Sequence, residues 1–200
     1  MKKFAIISIL ATLSALSFGG TMTLLGTGLG QAVTIAGVQS GTFFAGKLSF
    51  NETSLGHIQS VCVDLEHVIH IGQSWPDQII MDSSTLSAHL QDAAHIVAAG
   101  FNEANTNDKA AGLQLAVWEA VYDDGVSFNT GSGSFKVTNA SSGVLSAAST
   151  YYAMKNGNGN AIYIQAMDGC GQSQMTAVPE PTSLLGIASV AIAAVRRKRK

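Results

Sequence analysis

The sequence predicts an α+β fold: an antiparallel β-sandwich or barrel with about three helices, flanked by an N-terminal signal helix and a short C-terminal transmembrane helix. Three observations predict it. From Ala32, short β-branched and aromatic runs follow one another, separated by Gly, Asn and Ser. From Ser84 the apolar spacing shifts to a helical period. Both chain ends combine an apolar run with a cationic cluster, unlike anything between them.

The chain opens MKKFAIISILATLSALSFGG. Lys2 and Lys3 precede an apolar run from Phe4 to about Leu16, and small residues follow. This is the layout of a secretory signal peptide over residues 1–20, with Ala15-Leu16-Ser17 as a small-x-small cleavage pattern. No polar helical face is present to make the segment a helix of the domain. The following TMTLLGTGLGQ reads as a loose, Gly-rich stretch.

The body is expected over residues 32–176, long enough for one core. AVTIAGV, GTFFAGKLSF, GHIQSVCVDL and HVIHIGQSW read as four strands. Ser84 or Thr85 is placed to cap a helix whose Leu86, Leu90, Ala93, Ala94 and Val97 share one side, ended by Gly100. FNEANTND reads as a loop, and Asp108 is placed to cap a second helix running to about Tyr122, where Asp123-Asp124-Gly125 stops it. GSGSFKVTN reads as a strand, Ser141 to Asn156 as a third helix, and AIYIQAMDG as a last strand after the NGNGN turn.

The tail is VPEPTSLLGIASVAIAAVRRKRK. Pro179 and Pro181 break any preceding element. Leu184 to Val195 is an apolar run of twelve residues. As a helix it would reach about 18 Å, short of the roughly twenty residues a stable span needs. It suits a transient membrane anchor with its basic end in the cytoplasm. Pro179-Glu180-Pro181, the short apolar run and the terminal Arg196, Arg197, Lys198, Arg199 and Lys200 together resemble the PEP-CTERM sorting signal over residues 178–200. That resemblance implies an exosortase and the secretion machinery as partners in a Gram-negative bacterium. It also implies transient anchoring in the inner membrane, cleavage near Pro179–Pro181, and a cell-surface or extracellular destination. It is silent on what the body does.

Between the ends only Lys47, Lys109, Lys136 and Lys155 oppose twelve acids from Glu52 to Asp168, a net of about −8 for the body. Such a body repels nucleic acid and anionic lipid, so neither is expected as its partner.

Within the helix to Tyr122, the stretch GLQLAVWEAVYDD sets Gln114 among apolar residues. At about 100° per residue, Ala110, Val117, Trp118 and Val121 share its side, and Lys109, Glu119 and Asp123 lie opposite. An unpaired buried amide costs roughly 1–3 kcal/mol. Two answers are open. The amide can bond a strand carbonyl and a backbone N–H, or it can be chemically transformed. Cys62, at the end of an expected strand in SVCVDLEH, supplies the second answer. Its thiolate could attack the Gln114 carboxamide, if the carbonyl oxygen rests on a donor, and expel ammonia. The product is an intramolecular thioester.

Cys62-Val63-Asp64, followed about fifty residues later by Leu113-Gln114-Leu115-Ala116-Val117-Trp118, resembles the internal-thioester adhesin domains. Those surface domains carry a Cys-[Ile/Val]-[Asp/Glu] segment and a Thr-Gln-x-Ala-[Ile/Val]-Trp segment whose Cys and Gln are joined. The resemblance implies Cys62 as nucleophile, Gln114 as acyl donor and Trp118 as the shield against water. It also implies a covalent tether to a surface amine or a polysaccharide hydroxyl, used once, rather than an enzyme. Leu113 replaces the usual Thr, and Cys170 departs from a single-cysteine pattern.

Cys170 supplies the competing expectation. Two cysteines in an exported protein form one disulfide by default, Cys62–Cys170, in a non-covalent structural or polysaccharide-associated matrix protein. Both bonds cannot use Cys62 at once. A hydrolase with no recognisable site is a third class.

No cofactor or metal is expected. On a strand His67 and His70 would face opposite sides, which disfavours a shared metal. His57 would face away from Cys62, and His89 and His95 read as ordinary helix residues. Asp123 and Asp124 lack EF-hand spacing. The Asn51 and Asn139 glycosylation patterns read as chance in a bacterium. No phosphate-cradling loop or Ser/His/Asp set stands out.

Overall fold

The computed structural model describes residues 17–178 apart from 124, 126 and 130. The bulk of the signal segment and all of the 178–200 sorting tail except Val178 lie outside the described residues. Among those described, the order is β1 (Ser17–Gly37), β2 (Gly41–Glu52), β3 (Gly56–Cys62), β4 (Ser74–Ile80), α1 (Ala88–Gly100), α2 (Asn107–Tyr122), β5 (Phe135–Asn139), α3 (Ser142–Tyr152), β6 (Ala161–Ala166) and β7 (Gln174–Ala177). The α+β expectation is met by a seven-stranded antiparallel sheet and three helices.

The strands run β2-β3-β7-β6-β4-β1-β5, and β1 also pairs with β2. Six strands therefore close into a barrel, and β5 extends one end of β1. The closure depends on the length of β1, 21 residues. Its start pairs with β4 from Ser17–Ile80 to Thr23–Ser74. Its middle pairs with β2, and its end with β5.

The Gly-rich stretch after the signal is thus not loose. It is strand, and residues 17–20, assigned to the signal segment, open it. The glycines mark close approach rather than flexibility. Gly30 sits opposite Gly46 at an irregularity in the register, with φ of +156° and +149°. A Cβ on Gly30 would lie 2.3 Å from the Ala45 carbonyl oxygen, and one on Gly46 would lie 2.3 Å from that of Leu29.

Two further strands differ from expectation. HVIHIGQSW is loop until Ser74, and the strand continues instead through Pro76 to Ile80. Val68 and Ile71 are 56 % and 69 % exposed, so the β-branched run that suggested a strand is surface. β7 is only four residues long, yet it joins β3 to β6 and completes the ring. The helix caps also move. Thr106, not Asp108, accepts from the Lys109 N–H at the start of α2. Ser83–Thr85 is a 3-10 turn capped by Asp82, and Ser87 precedes α1.

Helix α2 packs on α1 and α3 and on strands β1, β2 and β3. Every residue from Ala110 to Ala120 is buried, so the helix is covered on all sides. Gly112 permits this. A Cβ there would lie 2.5 Å from Ala147 Cβ and 2.9 Å from the Val144 carbonyl oxygen of α3. The expected polar face survives only at the ends: Lys109 is exposed, but Glu119 is buried beneath the segment after α2, where Oε1 accepts from the Asn129 N–H at 3.1 Å.

Buried acids make stability depend on pH. Burial, opposed by the Asn129 bond, pushes Glu119 up from 4.5 to about 7. Burial, reinforced by the charge of Glu52, pushes Asp77 up from 3.8 to about 6. In the unfolded chain both lose their protons near pH 4, while the native state keeps them. The native state then binds more protons, and stability falls as pH rises from about 4 towards 7. Urea-unfolding midpoints measured across that range are expected to decline, and the decline is expected to flatten in Glu119→Gln.

Candidate functional site

The site begins where the β2–β3 ladder stops. That ladder ends at Leu48–Ser60. Peptide groups along an antiparallel strand point alternately to its two neighbours. The Val63 N–H donates to the Ser173 carbonyl on the β7 side. Cys62, one residue back, therefore turns its own N–H and C=O to the β2 side, beyond the end of the ladder. Left there unpaired, the two groups would be buried orphans.

Gln114 fills that place. The Cys62 N–H donates to Gln114 Oε1 at 2.9 Å, and Gln114 Nε2 donates to the Cys62 carbonyl at 2.6 Å. The side-chain amide acts as one peptide unit of a neighbouring strand. Cys62 and Gln114 are 3 % and 1 % exposed. Of the two answers open for Gln114, the structure contains the backbone-paired one, and it pairs with the very residue expected to react.

The thiol makes its own local bonds. Cys62 Sγ donates to the Asp64 carbonyl at 2.8 Å and accepts from the Asp64 N–H at 3.2 Å. Burial pushes the thiol up to about 12, against the smaller opposing effects of the Asp64 backbone and the Trp118 indole N–H. It is a neutral thiol at physiological pH, not the thiolate considered from the sequence. Trp118 is buried against Phe135, ring centroids 5.9 Å apart. Its N–H completes no hydrogen bond among the described residues, but it favours charge on the Cys62 sulfur.

Cys62, Gln114 and Trp118 line one cavity of about 480 Å³, which reaches solvent past Val68 and Ile71. The expected Cys62–Cys170 disulfide is not formed. Both cysteines are free, Cys62 buried at the end of β3 and Cys170 exposed in the β6–β7 connection.

Two residues of the site were not legible as such. Asp64 Oδ1 accepts from the N–H groups of Glu66 and His67, and Oδ2 bonds His67 Nδ1 at 2.8 Å. Gln172 Nε2 donates to the carbonyls of Asp64 and His67 at 2.9 and 2.8 Å, tying the turn to the β6–β7 connection. His67 and His70 both line the cavity, because the segment is loop and the two-sided alternation of a strand does not apply. The Asp-x-x-His spacing directly after Cys-Val was the available signal, since an Asp that accepts from N–H groups two and three residues on makes a turn. Among the described residues no group of three or more His, Cys, Asp or Glu is placed to hold a metal. His57 bonds Ser49, away from the site, while His89 and His95 bond the carbonyls of Ala120 and Lys155.

Comparison with family models, with curated proteins and with solved structures gives no match.

Proposed function

We propose that this is an exported, exosortase-processed surface or extracellular-matrix protein whose barrel carries an internal Cys62–Gln114 thioester for covalent attachment. The signal-like opening and the Pro-Glu-Pro tail support the route outward. The observation that carries the attachment is the pairing of the Gln114 amide with the backbone of Cys62, inside a cavity that Trp118 also lines.

The chemistry follows from that arrangement. The Cys62 N–H polarises the Gln114 carbonyl by holding its oxygen. The thiol adds to that carbon, its proton passes to the departing nitrogen, and ammonia leaves. Burial that opposes a thiolate does not oppose a neutral thioester. An incoming amine or hydroxyl then takes the acyl group and returns the thiol, with Trp118 stabilising charge on the leaving sulfur. Each molecule reacts once, so this is tethering rather than turnover.

The rival is a non-covalent matrix protein. One observation favours it: the Gln114 amide oxygen and nitrogen each already have a backbone partner where they stand. Intact mass of protein exported from cells and kept free of amines separates the readings. A deficit of one ammonia, replaced by the mass of methylamine at Gln114 after treatment, supports the tether. The full mass of the processed chain, without the deficit and unchanged by methylamine, rejects it.

A further inference from the structure

We propose, resting on the thioester reading, that His67 is the general base for transfer and that the acceptor class is the hydroxyl, as on a saccharide. A carboxylate accepts, so the bond from Asp64 Oδ2 places a hydrogen on Nδ1 and leaves the lone pair of the neutral ring on Nε2. Nε2 makes no hydrogen bond among the described residues, and His67 lines the cavity that holds Cys62 and Gln114. Three bonds fix the residue: its N–H and its ring to Asp64, and its carbonyl to Gln172. An oriented imidazole with a bare nitrogen, in the same cavity as the acyl carbon, is suited to take a proton from whatever attacks there.

His67 does not activate the thiol for thioester formation. Cys62 Sγ spends its hydrogen on the Asp64 carbonyl, and its ionisation is shaped by burial, Asp64 and Trp118, without His67. The base therefore belongs to the acceptor. An amine whose lone pair is free attacks a thioester without a base, whereas an alcohol gains most from one. The wall agrees with this assignment. Among the described residues no carboxylate lines the cavity to receive an ammonium group, although the body as a whole is acidic. Phe43, Phe44 and Trp118 offer aromatic surface, and Gln172, Thr27 and Thr42 offer neutral polar groups, a lining that suits a sugar.

In the step, the acceptor oxygen bonds the Gln114 acyl carbon as its proton moves to His67 Nε2. The carbon–sulfur bond breaks, and the proton passes on to Sγ. The products are a Gln114 ester and the Cys62 thiol, with no change of oxidation state.

The test compares glycerol and methylamine as acceptors on the exported protein, followed by intact mass. In the wild type both consume the thioester. In His67→Ala the ammonia deficit is expected to persist, and the ratio of glycerol to methylamine transfer is expected to fall by about 100-fold or more. Asp64→Asn is expected to lower the same ratio by a smaller factor, because it loosens the ring without removing it. A ratio unchanged in His67→Ala overturns the proposal, as does an equal loss of both reactions, which would mark a structural role. Absence of the deficit in the wild type overturns the thioester reading itself and this proposal with it, an outcome visible before any variant is made.

Discussion

Against the amide form of the wild type, Gln114→Glu will be destabilised at neutral pH by about 3–5 kcal/mol, the scale of an uncompensated buried charge, and nearly as stable near pH 4. The wild-type amide gives one hydrogen and accepts one at the Cys62 peptide groups. A protonated glutamic acid can do the same, with one oxygen accepting and the other donating. An ionised carboxylate cannot donate, and it would turn a charge toward the Cys62 carbonyl in a place only 1 % exposed. The folded state therefore holds the proton more tightly than the unfolded chain, and stability is lost as pH rises from the unfolded carboxyl value. The slope is about 1.4 kcal/mol per pH unit. Urea unfolding of variant and wild type at pH 4 and pH 7.5 measures it, on top of the shallower decline that Glu119 and Asp77 give both proteins. Equal destabilisation at the two pH values would mean that Gln114 does not occupy the end of the β2–β3 ladder. The variant also lacks the amide nitrogen that must leave, so no ammonia deficit is expected in it.

Cys62→Ala has the opposite profile: a large chemical effect with a small structural one. Both Gln114 bonds reach the Cys62 backbone and survive removal of the sulfur. Measured against the wild type before the thioester forms, the lost contacts are those of one thiol with the Asp64 backbone and its apolar surroundings, worth about 1 kcal/mol, the usual scale of a single substitution. Methylamine incorporation at Gln114, by contrast, is expected to vanish. Peptide mapping after methylamine treatment, beside a thermal melt, reads both quantities. Incorporation that persists without the sulfur would mean that the amide reacts by some other route, and the thioester would have no place in the account.

The contrast between these two variants explains what was legible in the sequence. A primary amide in an apolar helix stripe stood out, and so did a cysteine ending a strand, because each breaks a local rule at a buried position. What the amide does could not be read from either segment. It depends on where the β2–β3 ladder stops, which the register Leu48–Ser60 decides, and register is set by the whole ring. The long β1 was hidden because glycines at a bulged crossing look like glycines in a loop. β7 was hidden because four residues carry little pattern, although Met175 and Gln174 are fully buried in the barrel wall. The loop after Cys62 was mistaken for strand because Val68, Ile69 and Ile71 are β-branched. Their composition serves the mouth of a cavity, and the Asp64 turn that positions His67 overrides it.

The most direct test of the central claim is the electron density between Cys62 Sγ and Gln114 Cδ, in crystals of exported protein never exposed to amines. The account predicts continuous density joining sulfur to carbon, with no amide nitrogen and with the acyl oxygen still on the Cys62 N–H. Separate side chains, with the Gln114 nitrogen still donating to the Cys62 carbonyl, would contradict it and leave the amide as nothing more than the last rung of a sheet.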